Sequence, residues 1–196
     1  MKKTHRIFNY SLVLIIVLIL LLSNSCKKDN DPITDPITLT IGQSYGGGII
    51  FYLDNTEQHG LVCAPTDQST ALPWWNGSNV ITGAIGSNIG TGKSNTEAIV
   101  AVQGAGNYAA QICNDLTLNG YSDWFLPSKS ECFYMYFNLK TMRNIGDFGE
   151  APDALYWSST EASYNLVYSQ YGSDGYSPTG GYYKNSAYHV RAVRAF

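Results

Sequence analysis

The rhythm of hydrophobic and polar positions changes several times along the 196-residue chain. First comes an unbroken apolar run from Leu12 to Leu22. A bilayer-crossing helix takes roughly 20 apolar residues, so this run is too short for a permanent anchor. Two compact apolar stretches follow, Ile49 to Leu53 and Leu61 to Ala64, with a polar turn from Asp54 to Gly60 between them. That pattern predicts a β-hairpin. From Thr66 to Ser94 the chain reads as a long loop of Gly, Ser, Asn and Thr. Helical spacing then sets in at Ile99, Val100, Val102, Tyr108, Ile112 and Leu116, with Asn95 or Thr96 as the cap. Gly104 and Gly106 break or kink that helix. A second helix opens at Ser128, where Ser and the Glu131 three residues on form a capping box. Phe133, Tyr136 and Phe137 give it one apolar face. After Glu150 the pattern turns to strands: Leu155 to Ser159, Leu166 to Tyr171 and Tyr188 to Phe196. In the last, Tyr188, Val190 and Ala192 alternate with His189 and Arg191. Strands from both chain ends, two helices between them and long Gly/Tyr-rich loops predict an α+β fold. The N- and C-terminal strands are expected as neighbours in one antiparallel sheet.

The apolar run gains meaning from its flanks. Lys2, Lys3 and Arg6 precede it, and Ser23, Asn24, Ser25 and Cys26 follow. A basic start, a short apolar core and small residues at the cut mark residues 1–25 as a secretory signal peptide. The stretch ending at Cys26 resembles a bacterial lipobox, with Ser23 where Leu is commonest. A thiol at the new N-terminus can carry lipid chains that hold the protein on a membrane. Cys26 leads into Lys27, Lys28, Asp29, Asn30 and Asp31, which is similar to the charged export signal of surface lipoproteins in Bacteroidota. Residues 26–38 then form a linker in which Asp-Pro-Ile-Thr occurs twice, from Asp31 and from Asp35. Each Pro holds its predecessor extended, as in a stalk. Residues 39–196 are one domain. The expected location is the outer membrane, facing outward, with the membrane itself as a partner through Cys26.

Loss of residues 1–25 would remove three of the twelve basic residues and none of the fifteen acidic ones. The remaining charge of −6 excludes long-range attraction to nucleic acid or to anionic lipid. Three cysteines remain beside Cys26, an odd number. Cys63 and Cys113 could pair, or all three could stay as buried thiols. No Cys/His spacing fits a zinc site, and no metal or cofactor is expected.

Three separated motifs carry a family resemblance. They are the stretch from Asn119 through Trp124, Pro127 and Ser128 to Glu131, the stretch Tyr156-Trp157-Ser-Ser-Thr-Glu161, and the terminal Val190-Arg191-Ala-Val-Arg194. Together, in this order, they resemble the Lcl C-terminal domain family, named for a Legionella collagen-like adhesin. Cys132 stands where the family usually has Leu. The resemblance covers residues 41–196 and implies a variant of the C-type lectin-like fold. It also implies binding or adhesion at a surface rather than catalysis. Without the family, Trp124, Trp157, Arg191 and Arg194 read as core packing and strand pairing. The sulfated polysaccharides associated with the adhesin fit poorly with an acidic chain.

Enzyme chemistry finds little support. Gly90-Thr-Gly-Lys-Ser94 misses the phosphate-loop spacing by one residue. There is no G-x-S-x-G elbow. His59 and His189 read as structural residues. Glu131 and Glu161 would be the carboxylate pair of a hydrolase, but Glu131 is better explained as a helix cap. The expectation is a non-enzymatic surface module that recognises a glycan or another surface ligand. Trp74, Trp75, Asn76 and Tyr176 are its candidate contacts, because such rings stack on sugars and offer a polar edge. The competing expectation is an envelope assembly protein, a homo-oligomer included, that meets protein partners along the Tyr-rich stretch from Tyr164 to Tyr188.

Overall fold

The computed structural model describes residues 38–148, 154–171 and 181–196. Thr38–Phe196 forms one compact unit. Cys26, the Asp-Pro-Ile-Thr repeat up to residue 37 and Tyr176 lie outside the described residues.

Two small sheets carry the fold. The first has the order β1 (Ser44–Tyr45), β2 (Gly48–Leu53), β3 (Gly60–Cys63) and β9 (Val193–Ala195), all antiparallel. The hairpin expected from the apolar runs is β2–β3. The expected meeting of the chain ends is β3–β9, with Val62 opposite Arg194. The second sheet runs β4 (Ser69–Pro73), β8 (Ala187–Val190), β5 (Leu155–Glu161), β6 (Leu166–Tyr171) and β7 (Tyr182–Tyr183). There β5 and β8 pair in parallel through Tyr156 and His189. The α+β expectation holds.

Three expectations need correction. The terminal strand is not continuous: β8 belongs to one sheet and β9 to the other, and the chain crosses between them at Arg191 and Ala192. Arg191 fixes the crossing. Its buried guanidinium donates to Asp67 Oδ1 at 2.5 Å, to the carbonyls of Ala64 and Pro65 at 3.1 and 3.0 Å, and to the carbonyl of Asp147. The first helix, α1 (Gly92–Gln103), starts earlier than Asn95 and is capped at Thr91. It stops at Gly104, and a separate α2 (Ala109–Asn114) follows. The described region therefore has more than two helices. Lastly, the stretch read as loop contains β4, whose Leu72 faces Tyr188 of β8.

The capping box at α3 (Lys129–Met135) is present as expected. The Ser128 hydroxyl accepts from the Glu131 backbone N–H, and the Glu131 carboxylate accepts from the Ser128 N–H. The helix continues as a π-helical segment, Tyr136–Thr141. No helix among the described residues is long and apolar enough to cross a membrane. Two apolar clusters fill the interior. One gathers Trp74, Ile99, Trp157 and Val190 between α1, α2 and the second sheet. The other gathers Phe51, Met135, Phe148 and Tyr156 around α3. Cys63, Cys113 and Cys132 are all buried free thiols, so the Cys63–Cys113 bridge does not form. Burial pushes the Cys63 thiol up to about 12 and the other two upward as well. A thiolate is the reactive form, so these groups are inert.

One ion pair lies wholly inside. Lys184 Nζ meets Glu161 Oε1 at 2.5 Å and the Val80 carbonyl at 2.6 Å, above the Trp74 ring. Glu161 also accepts from the backbone N–H groups of Thr82 and Gly83. Removing one partner of a buried pair strands the other charge away from water. Lys184→Met should therefore lower the unfolding free energy by about 3–5 kcal/mol, and adding Glu161→Gln should recover part of that loss. Urea unfolding of the single and double variants checks this. A single-variant loss well under about 1 kcal/mol, the range of a solvent-exposed pair, would contradict it.

Candidate functional site

Of the residues named from sequence as ligand contacts, the described ones, Trp74, Trp75 and Asn76, do not form a shared surface site. Trp74 is 0% exposed, and its Nε1 donates to the Ser158 carbonyl at 3.0 Å. It cannot touch a ligand, and that assignment is overturned. Trp75 is half-buried beside it. Asn76 is exposed, but its amide donates to the carbonyls of Gln103 and Ala105 and so pins the loop to the end of α1. The motif residues read as scaffold do act as scaffold. Trp157 Nε1 donates to the Leu72 carbonyl at 2.7 Å, and Trp124 Nε1 to the Tyr121 carbonyl at 3.1 Å. The Pro127 carbonyl accepts from Ser159 N–H at 2.7 Å.

Glu131 and Glu161, the pair a hydrolase would need, are both committed to structure. Glu131 is fully buried and accepts from the N–H groups of Gly90, Ser128 and Gly92. Burial raises its carboxyl above the ordinary carboxylate range, against the pull of those N–H groups. His189 is not alone either. Its Nδ1 lies 2.7 Å from Asp67 Oδ2, which also accepts from the Tyr156 hydroxyl. Among the described residues, no group of three His, Cys, Asp or Glu side chains gathers as metal ligands would.

A different surface feature emerges where two tight turns meet. Tyr45 pairs with Gly48, which leaves a two-residue turn of Gly46 (φ 52°) and Gly47 (φ 84°). Both φ angles are positive, the turn geometry that suits the twist of a hairpin and favours glycine. A second turn, between Leu118 and Tyr121, has Asn119 (φ 52°) and Gly120 (φ 84°) at its centre. Asn119 Nδ2 donates to the Gly47 carbonyl at 2.7 Å and joins the two turns. The Tyr121 ring lies so close to Gly47 that a Cβ there would sit 2.6 Å from its Cδ2. Beside the joint is a cavity of about 360 Å³, lined by Ser44, Tyr45, the glycines 46–48, Pro65 and Asn119. Tyr45 is 39% exposed and Tyr121 38% exposed. Tyr45 is braced edge-on against Phe196, with ring centroids 4.9 Å apart.

Arg194 supports this groove from below. Its guanidinium lies 3.9 Å from the Tyr121 ring centroid and donates to the Gly46 carbonyl at 2.8 Å. Asp123 accepts from it through both oxygens, at 2.7 and 3.0 Å. These hydrogen bonds from Arg194 hold the Asp123 carboxyl below its ordinary range. The two charges neutralise each other, and the cavity lining holds no ionisable carboxylate or cation. The site therefore offers ring faces, an amide and backbone polar groups. Tyr45, Asn119 and Tyr121 were missed as contacts in the sequence. The available signal was a pair of Gly-containing turns, each with a neighbouring Tyr.

Fold and groove together define a small two-sheet α+β domain whose surface features are built from ordered turns and loops. The chain belongs to the Lcl C-terminal domain family, whose model matches residues 64–194. The turn Gly46-Gly47 lies outside the match, while Asn119, Tyr121, Asp123 and Arg194 lie within it. No curated protein matches the chain. A crystal structure of a fimbrial protein from Bacteroides ovatus is similar, with a TM-score of 0.53 at 14% identity. The likeness covers 79% of this chain and 48% of that one, so this chain spans about half the length of the fimbrial protein.

The groove's support yields a pH prediction. Asp123 has a lowered carboxyl in the folded state, so its contribution is present above the unfolded value near 3.8 and fades as pH falls through the folded value. Asp123→Asn should cost on the order of 1 kcal/mol at neutral pH, a modest figure because Asp123 is partly solvated. The difference from wild type should shrink towards zero in acid. Chemical denaturation across pH checks this, and a pH-independent difference would contradict it.

Proposed function

We propose that this chain is an exported lipoprotein whose domain binds a neutral extracellular glycan in the groove lined by Tyr45 and Asn119. It acts as an adhesion-like module without catalysis. One observation carries the reading: exposed Tyr45 and the Asn119 amide line a glycine-rich cavity, Tyr121 packs against its Gly47, and no charged side chain stands in the lining. Sugar rings present apolar C–H faces and hydroxyl edges, which match ring faces and amide groups. A ligand with sulfate or carboxylate groups would find no cation in the lining. We further propose that the fold is a variant of the C-type lectin-like class. Membership of a family named for an adhesin, and a fold shared with a fimbrial protein, support a role at the cell surface. Cys26 would carry the lipid, and the outer leaflet of the outer membrane is the proposed location.

A second reading, a protein-assembly role, has one observation in its favour. Tyr164 and Tyr183 are 58% and 61% exposed, and Tyr183 lies on β7 at the edge of its sheet. Exposed tyrosines beside an open strand edge suit a partner chain.

A glycan-array screen of the folded chain tests the first reading. Binding to neutral glycans is expected, and Tyr45→Ala should weaken it about tenfold, equivalent to about 1.4 kcal/mol. Tyr183→Ala should leave it unchanged. The glycan reading fails if a folded sample binds none, or if Tyr45→Ala binds as well as wild type. Lipidation is tested separately by the mass of the N-terminal peptide from membranes. Acyl chains on Cys26 are expected, and an unmodified thiol there would exclude the anchor.

A further inference from the structure

The segment from Lys129 to Gly146 presents a surface unlike the rest of this acidic chain. Its outer side is aromatic. Phe133 stacks on Phe137 with ring centroids 5.6 Å apart, Tyr134 packs edge-on against Phe133, and Tyr52 of β2 extends the group at 5.9 Å. Met142 lies one turn beyond Phe137, since its backbone N–H donates to the Phe137 carbonyl. Tyr134, Phe137 and Met142 are 39%, 37% and 60% exposed. The π-helical turn from Tyr136 to Thr141 is part of the reason. Its wider winding keeps Tyr136 and Leu139 in the core while Phe137 and Met142 stay outside.

Lys140 and Arg143 belong to the same segment, whose one acid between residues 129 and 146, Glu131, is fully buried, and the exposed Asp147 follows it. Apolar and aromatic side chains with basic neighbours are the make-up of a segment that lies in the boundary layer of an anionic bilayer. The chain also enters the domain here. A Cβ on Gly42 would lie 2.8 Å from Ile145 Cδ1 and 3.6 Å from Arg143 Cδ, so residues 40–42 abut the end of this segment. Only eleven residues, 27–37, lie between Cys26 and Thr38, a reach of at most about 40 Å when fully extended. A lipid at Cys26 would hold Thr38 within that distance of a bilayer, where a weak contact is enough to orient the domain.

We propose that the face formed by Tyr52, Phe133, Tyr134, Phe137 and Met142, rimmed by Lys140 and Arg143, rests on an anionic lipid surface. The geometry of this contact rests on the lipidation of Cys26, but its chemistry does not. The net negative charge of the chain gives no long-range attraction. Insertion of the aromatic group supplies the contact, and the basic rim selects for anionic headgroups.

The test uses the unlipidated chain, residues 27–196, which keeps the whole compact unit and both apolar clusters. Flotation is measured with phosphatidylcholine vesicles and with vesicles of phosphatidylcholine and phosphatidylglycerol. Wild type should bind the mixed vesicles more than the neutral ones. Phe137→Ser with Met142→Ser should reduce the bound fraction about fivefold or more. Lys140→Glu with Arg143→Glu, at two surface positions, should abolish the preference for anionic lipid. Failure of wild type to bind either vesicle overturns the proposal, as does unchanged binding by both variants. Dimerisation without vesicle binding, lost in Phe137→Ser, overturns it in favour of a second copy of this chain. An unmodified Cys26 together with vesicle binding leaves this inference standing while the anchor reading falls.

Discussion

Between β4 and α1 the chain runs from Trp74 to Thr91 without regular structure, with Trp74, Thr82 and Ala84 buried and the residues around them partly or fully exposed. Buried N–H and C=O groups need partners, and this stretch has no strand or helix to supply them. Buried side chains do so instead, among them Glu161, Asn95 and Glu131. Glu161 receives the N–H groups of Thr82 and Gly83. Asn95 both accepts from Gly86 N–H and donates to the Gly86 carbonyl. Glu131 receives Gly90 and Gly92 N–H. Each supporting side chain lies on a regular element, so the loop takes its shape from β5, α1 and α3. Gly92 belongs to the same constraint, because a Cβ there would collide with the Glu131 carboxylate.

That constraint shapes where charges sit. Of the seven Lys and Arg residues between 38 and 196, Lys184, Arg191 and Arg194 are buried, each on an acid: Glu161, Asp67 and Asp123. Buried pairs add little net stability against apolar replacements, but they impose direction, since a guanidinium must find its fork of acceptors. Arg191 turns the chain from one sheet to the other. Arg194 holds the Gly46 turn and the Tyr121 ring. The basic groups left on the surface are Lys93, Lys129, Lys140 and Arg143, and two of them rim the aromatic face of the π-helical segment. The groove and the aromatic face are thus what remains outside after the interior has taken its charges.

How much of this was legible depended on distance along the chain. The Ser128–Glu131 box was readable because both partners lie within one turn. The β2–β3 hairpin was readable from two apolar runs and a turn. The start of α1 was not, because the partner that fixes Gly92 is Glu131, far along the chain. The alternation from Tyr188 to Phe196 reported strands correctly and could not report a change of sheet, which depends on Asp67 and on the carbonyls of Ala64 and Pro65. Trp74 looked like a ligand contact because its neighbours are polar, but its true partners, Ser158 and Lys184, come from β5 and from the turn before β8. The groove was hidden for the same reason: Gly46-Gly47 and Asn119-Gly120 are each recognisable turns, and only the fold places them side by side. Cys26 and its linker remain readings of the sequence.

The central claim is that buried side chains, and not loop composition, order the stretch from Thr82 to Gly92 and thereby the domain. Residue-resolved amide hydrogen exchange on the folded chain tests it most directly. The amides of Thr82, Gly83, Gly86, Gly90 and Gly92 should exchange about as slowly as those of β3, near the limit set by global unfolding. Exchange at the rate of a solvated surface loop at these five positions would contradict it.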